Sequence, residues 1–257
     1  MPHPRTRPLD RPTRWPLPDD SSIDALPPDE RQAIGRLWAG RIQGELRAIP
    51  AFAYLAEALS DLGAGADLIA LAARASDDER RHASLCATVA SRYLGREVEV
   101  APDPPLDLPA LEGAPPVLRK VLHVIGLSCL NETTSSAFIE AALKGATAPL
   151  ATAALRELLS DEVDHARIGW ALLASPLLDE SFRALISRWL PALVAANLRV
   201  WHRPLPAAPW PASFAEHGCP STEVSNEAVR VATRELILPG FAHVGIDASG
   251  VTALASD

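Results

Sequence analysis

The chain has 257 residues, 48% of them hydrophobic, and its 24 basic and 32 acidic side chains leave a net charge of −8. That is ample apolar material for one large or two small domains, and the arginines are scattered among acids instead of forming a stripe, which disfavours nucleic-acid binding. No apolar run reaches about 18 residues without a charge or proline, no secretory pattern opens the chain, and Cys86, Cys129 and Cys219 form no CxxC pair; a membrane span, a disulfide framework and a thiolate metal site are disfavoured, and a soluble cytoplasmic protein is expected.

Residues 1 to about 27 are proline-rich and read as an arm that orders only where it packs on something. Pro27 and Pro28 followed by Asp29 and Glu30 start a helix over about 29–60, with Trp38, Ile42, Ile49 and Phe52 on one stripe. Pro50 removes one backbone hydrogen bond, so a kink or bulge is expected just past Glu45. A second helix over about 65–94 stops at Gly95. The stretch REVEVAPDPPLDLPALEGAPP is crowded with prolines and long enough to cross a bundle from end to end. A third helix runs from Pro115 or Pro116 to about Lys144, and a fourth over about 148–174. A fifth, about 179–201, carries Pro191 as a kink; a short helix near 222–238 precedes a loose tail. Two tightly turned helix pairs joined by a long connection predict an all-α four-helix bundle with one crossover over residues 28–175. Residues 176–257 form a C-terminal helical extension on it.

Only two of the seven histidines follow a glutamate by three residues: His82 after Glu79, and His165 after Glu162. Residues three apart share a helix face, so each Glu-x-x-His presents two donors to one point. The helix before each motif carries a glutamate inside an apolar stripe. Glu45 lies among Trp38, Ile42, Ile49 and Phe52; Glu132 lies among Ile125, Cys129, Ser136 and Ile139. Glu45 precedes Glu79 by 34 residues and Glu132 precedes Glu162 by 30, the spacing of an internal duplication. Four inward carboxylates and two imidazoles are tolerable in a low-dielectric interior when two divalent cations neutralise them. Oxygen and nitrogen donors without thiolates favour iron or manganese over structural zinc.

The series Glu45, Glu79-x-x-His82, Glu132, Glu162-x-x-His165 resembles the ligand set of the ferritin-like di-iron carboxylate proteins, over about two-thirds of the chain. The resemblance implies a ferritin-like bundle binding two iron ions, or manganese with iron. Glu79 and Glu162 would bridge the metals, with Glu45 and His82 at one end and Glu132 and His165 at the other. Asp78 and Asp161, each just before a ligand glutamate, resemble the aspartates that orient a histidine on the opposite helix. The run LLSDEVDHARIGWALLA and the overall length look closest to the branches that activate O2 to oxygenate or oxidise a small organic substrate, such as the aldehyde-deformylating oxygenases, with electrons from an external donor. Leu158, four residues before Glu162, stands where N-oxygenases carry a third histidine, which argues against N-oxygenation.

Small residues near the ligands (Gly126, Ser128, Thr133, Ser136, Gly169) offer room for such a substrate. Two other outcomes are a ferroxidase or rubrerythrin-like peroxidase acting on iron or hydrogen peroxide, and a non-catalytic helical module; a homodimer is compatible with each. Glu57, Glu140, His123, His202, His217 and His243 read as solvated or core-edge side chains. Trp38, Tyr54, Cys86 and Cys129 read as core.

Overall fold

The computed structural model describes residues 16–205 and 209–254, and these contain helices and no strand. Helix α1 (Pro28–Asp61) opens with Pro28 in its first turn and Asp29 and Glu30 beside the free N–H groups there, where proline loses nothing and acids meet the positive end of the helix dipole. Helix α2 (Ala66–Leu94) runs back along it and is closed by Gly95 in the left-handed conformation. The third long helix is continuous over 116–145 but not uniform. It comprises α3 (Pro116–Val124), a π-helical stretch (Ile125–Glu132) and α4 (Thr133–Gly145). After a short turn α5 (Pro149–Ala174) returns antiparallel to it. The hairpins pack together through α2 against α5 and α1 against α3. No helix among the described residues is long and apolar enough to cross a membrane.

The bulge expected in α1 lies elsewhere. α1 keeps its helical pattern straight through Pro50, because Ile49, Ala51 and Phe52 beside it are buried and hold the segment in place despite the missing hydrogen bond. The fifth helix also differs from expectation. It divides into α6 (Glu180–Ser187) and α7 (Leu190–Trp201), since Pro191 has no N–H to continue the hydrogen-bond ladder from α6 and is accommodated in the first turn of a new helix. The short helix expected at 222–238 extends to His243, as α9 (Thr222–Ala232), a π-helical stretch Thr233–Ile237 and α10 (Leu238–His243). The apolar faces of α6, α7 and α10 cover Leu118, Val121, Leu122, Ile125 and Cys129 of the third long helix.

Of the proline-rich arm, residues 1–15 lie outside the described residues. Residues 16–27 dock on the bundle end, with Ile23 fully buried. Asp20 is buried there too, and its Oδ2 accepts the Leu150 N–H at 3.0 Å, capping α5, whose own N-cap residue Ala148 offers no side-chain acceptor.

A strap over 210–219, including the short helix α8 (Ala212–Glu216), closes the same end. The Trp38 indole N–H donates to the His217 carbonyl at 3.1 Å, the Tyr93 hydroxyl meets His217 Nδ1 at 2.7 Å, and the Glu216 carbonyl accepts the Thr147 and Ala148 N–H groups. His217 is therefore a buried tether, not a solvated residue. Gly218 turns the strap at φ +79°, with space for an added Cβ limited by Leu155 and Trp38 at 3.1 Å each. Gly218→Ala should destabilise the protein by roughly 1–3 kcal/mol, from backbone strain plus overpacking, read as a lower urea midpoint.

Candidate metal centre

Each of the four long helices contributes to one buried cluster. Glu45 comes from α1, Glu79 and His82 from α2, Glu132 from the last position of the π-helical stretch, and Glu162 and His165 from α5. Their donor atoms form two groups. Glu45, Glu79, His82 and Glu162 offer ligand atoms within 4.8 Å of one another, and so do Glu79, Glu132, Glu162 and His165. Glu79 and Glu162 belong to both groups, so the structure brings together all six residues that the sequence singles out. His82 Nδ1 lies 3.6 Å from Glu45, 3.7 Å from Glu79 and 3.6 Å from Glu162. His165 Nδ1 lies 2.9 Å from Glu79 and 3.9 Å from Glu132. The Phe52 ring packs against the His165 ring at a tilt of 52°, centroids 4.9 Å apart.

Burial and like charge set the protonation of this cluster. Burial, together with the neighbouring carboxylates, pushes Glu162 well up and Glu45 to about 7, and burial pushes Glu132 up. Glu79 goes the other way: burial opposes its ionisation, but His165 and His82 hold it ionised. Burial alone would discharge the imidazoles, yet the carboxylates around them raise His82 well above its ordinary range and His165 to about 9. His82 Nδ1 and Glu162 Oε2 are buried without a hydrogen-bond partner, while His165 Nδ1 and Glu79 Oε1, 2.9 Å apart, meet as an ion pair. Convergent, incompletely satisfied oxygen and nitrogen donors in a dry interior could hold a metal ion.

Behind the donors, the aspartates cross between the hairpins. Asp161 of α5 bonds His82 Nε2 of α2 at 3.2 Å, leaving Nδ1 to face the cluster. Asp78 of α2 stands 3.8 Å from His165 Nε2, beyond hydrogen-bond reach. Sequence reasoning missed what holds these aspartates. Arg81, its side chain 10% exposed, makes short contacts with Asp161 and with the buried Glu157 and a 3.3 Å contact with Asp78. The signal was present as spacing, since Arg81 follows Asp78 by three residues and Glu157 precedes Asp161 by four, which places each pair on one helix face.

Two further supports come from the third helix. The Ser128 hydroxyl sits inside the α5 hydrogen-bond ladder, donating to the His165 carbonyl at 2.5 Å and accepting the Gly169 N–H at 2.8 Å. A Cβ at Gly169 would meet Cys129 Sγ at 2.5 Å and the Cys129 N and Ser128 Cβ at 3.0 Å. Ser128 and Gly169 therefore serve close packing and do not leave space. Thr133 is likewise engaged, accepting from the Trp170 indole; Gly126, by contrast, has nothing within 4 Å of an added Cβ. Glu132 accepts from the Asn131 amide at 3.0 Å, and Asn131 accepts from the Trp201 indole of α7, so the C-terminal region reaches a cluster residue through one intermediary.

The remaining candidates fall away from the centre. Glu57, Glu140, His202 and His243 are exposed. His123 is a buried tether: it joins the Tyr54 hydroxyl at 2.8 Å to the Pro109 carbonyl at 2.9 Å and fixes the crossover. Cys86 and Cys129 are buried and free, with their thiols pushed up by burial. No family model matches the chain, and no curated protein sequence matches it.

Arg81→Met should cost about 3–5 kcal/mol in denaturant unfolding, because it strands buried carboxylates without their cation. In metal-free protein, His82, His165, Glu45 and Glu162 carry protons that their unfolded counterparts release at lower pH. The folded state thus binds more protons through neutral pH, and its stability should fall as pH rises from about 6 toward the His165 value of about 9. Calorimetric melting of chelator-treated protein across that range checks the sign.

Proposed function

We propose that this chain is a ferritin-like protein whose centre binds two iron ions, or manganese with iron, and activates O2 to oxygenate or oxidise a small organic substrate. The observation that carries this reading is the pair of donor groups sharing Glu79 and Glu162. One shared carboxylate pair between two four-donor sets suits two adjacent cations, and one structural ion held by either set would leave two of the six residues without a role. When bound, the ions supply the redox chemistry of dioxygen, with electrons from an external donor. The chain's own residues do the rest. Asp161 fixes the His82 tautomer through Nε2, Arg81 holds Asp161 against losing that bond, and the Ser128 hydroxyl anchors the backbone of His165. The buried walls exclude water, which strengthens every charge interaction inside. Among the donors, Glu45 is the most open, its side chain 14% exposed, so approach from solvent is easiest at its end.

The test is anaerobic loading with ferrous iron, elemental analysis, then exposure to air. The expected result is about two metal ions per chain, oxygen consumption and a di-ferric absorption band, with metal uptake collapsing in Glu79→Ala and Glu162→Ala. Uptake of a single ion, unaffected by those substitutions, would sink the di-metal reading. Rapid oxidation of many ferrous equivalents per chain would favour the ferroxidase over the oxygenase. No spectral change would favour the inert module.

A further inference from the structure

Arg41 stands one turn before Glu45 on the same face of α1, with about 6 Å between their backbones. Its guanidinium lies over the Trp38 ring at 4.1 Å and beside Phe138 of α4 at 5.6 Å. One arm donates to the Gly218 carbonyl at 2.6 Å. The other, Nη1, is buried and has no hydrogen-bond partner. Arg41 makes no ion pair with any described residue, although its charge is felt at Cys86 and Cys219. A half-buried arginine with aromatic walls and a buried, unused donor, and with no counter-ion among the described residues, is the feature to explain.

The surroundings say what kind of anion it is. Phe138 continues into Trp201 at 5.8 Å, and Trp201 bonds Asn131, the partner of Glu132. Ser136, one turn beyond Glu132, has a buried hydroxyl that also lacks a partner. Glu45, one turn along α1 from Arg41, is the most open donor of the cluster. A fork of N–H donors beside an apolar aromatic wall, next to the accessible end of the cluster, suits a carboxylate with a hydrocarbon body better than a bare inorganic anion.

We propose that Arg41 binds the carboxylate of the organic substrate, so that the substrate class is a small organic acid whose apolar body lies along Phe138 toward the Glu45 end of the centre. This rests on the dioxygen reading for its chemistry, but the anion site stands on Arg41 itself. Arg41 is a substrate-binding residue here and takes no part in holding metal.

The test is isothermal titration of the full chain, metal-free and ferrous-loaded under argon, with octanoate, octanal, octylamine and inorganic phosphate. Octanoate should bind at least tenfold more tightly than the other three. Arg41→Gln should bring octanoate down to the level of octanal while leaving metal content unchanged. Octanoate binding no tighter than octanal, or unaffected by Arg41→Gln, overturns the proposal, and so does phosphate binding as tightly as octanoate. If Arg41→Gln unfolds because the strap loses its bond, Arg41→Lys decides, since it keeps a donor for Gly218 but not the fork. A tenfold weaker octanoate complex then supports the inference and an unchanged one overturns it. Octanoate held through Arg41 by a chain that takes up no divalent metal would support the anion site and sink the dioxygen reading, while iron uptake without any preference for the carboxylate would do the reverse.

Discussion

Four glutamates and two histidines share one dry interior, and the repulsion among those carboxylates is the constraint to which the rest of the molecule answers. Coulomb energies between like charges a few ångströms apart are several-fold larger inside a protein than in water. In the metal-free chain protons relieve the strain, which is why Glu162 and Glu45 hold theirs against the usual carboxylate range while Glu79, flanked by both imidazoles, gives its own up. Cations can do the same with more charge per site. The helices exist in this arrangement because their leucine, isoleucine and alanine faces bury enough apolar area to offset a polar centre that would otherwise push them apart.

That offset needs reinforcement close to the charges, and the supports are unevenly distributed. Around His82 the aspartate bond is made and backed by Arg81, which draws Asp161, Glu157 and Asp78 into one cationic grip. Around His165 the aspartate is farther off, 3.8 Å from Nε2, though its charge still raises the imidazole, and the residue is also held by its backbone, through Ser128, and by the Phe52 ring. Two sequence motifs of the same form thus share an aspartate and differ in what reinforces it. The C-terminal helices reach the second side through Trp201 and Asn131 to Glu132.

The helical character, the break points of the four long helices and all six cluster residues were legible because each depends on short-range spacing. Glu79 with His82, and Glu162 with His165, need only the helical repeat to share a face. What was hidden depends on approach between distant segments. Ser128 looked like a small residue leaving room, and no local pattern announces that its hydroxyl enters another helix's ladder. His123 and His217 read as solvated or core-edge because their partners, Tyr54, Pro109 and Tyr93, lie far off in sequence. Pro50 and Pro191 show the other failure: a local rule named the right residue but could not weigh burial against a lost hydrogen bond, so the bulge was expected in the wrong helix and a break was taken for a kink.

The cap that Asp20 provides to α5 ties the ordering of the chain's beginning to that of its second hairpin. The helix bearing Glu162 and His165 borrows its first-turn acceptor from a residue 130 positions earlier, so that turn cannot be complete while the hairpin stands alone. Residues 16–27 and the second hairpin are therefore one mechanical unit: drawing the arm away uncaps the helix that carries Glu162 and His165.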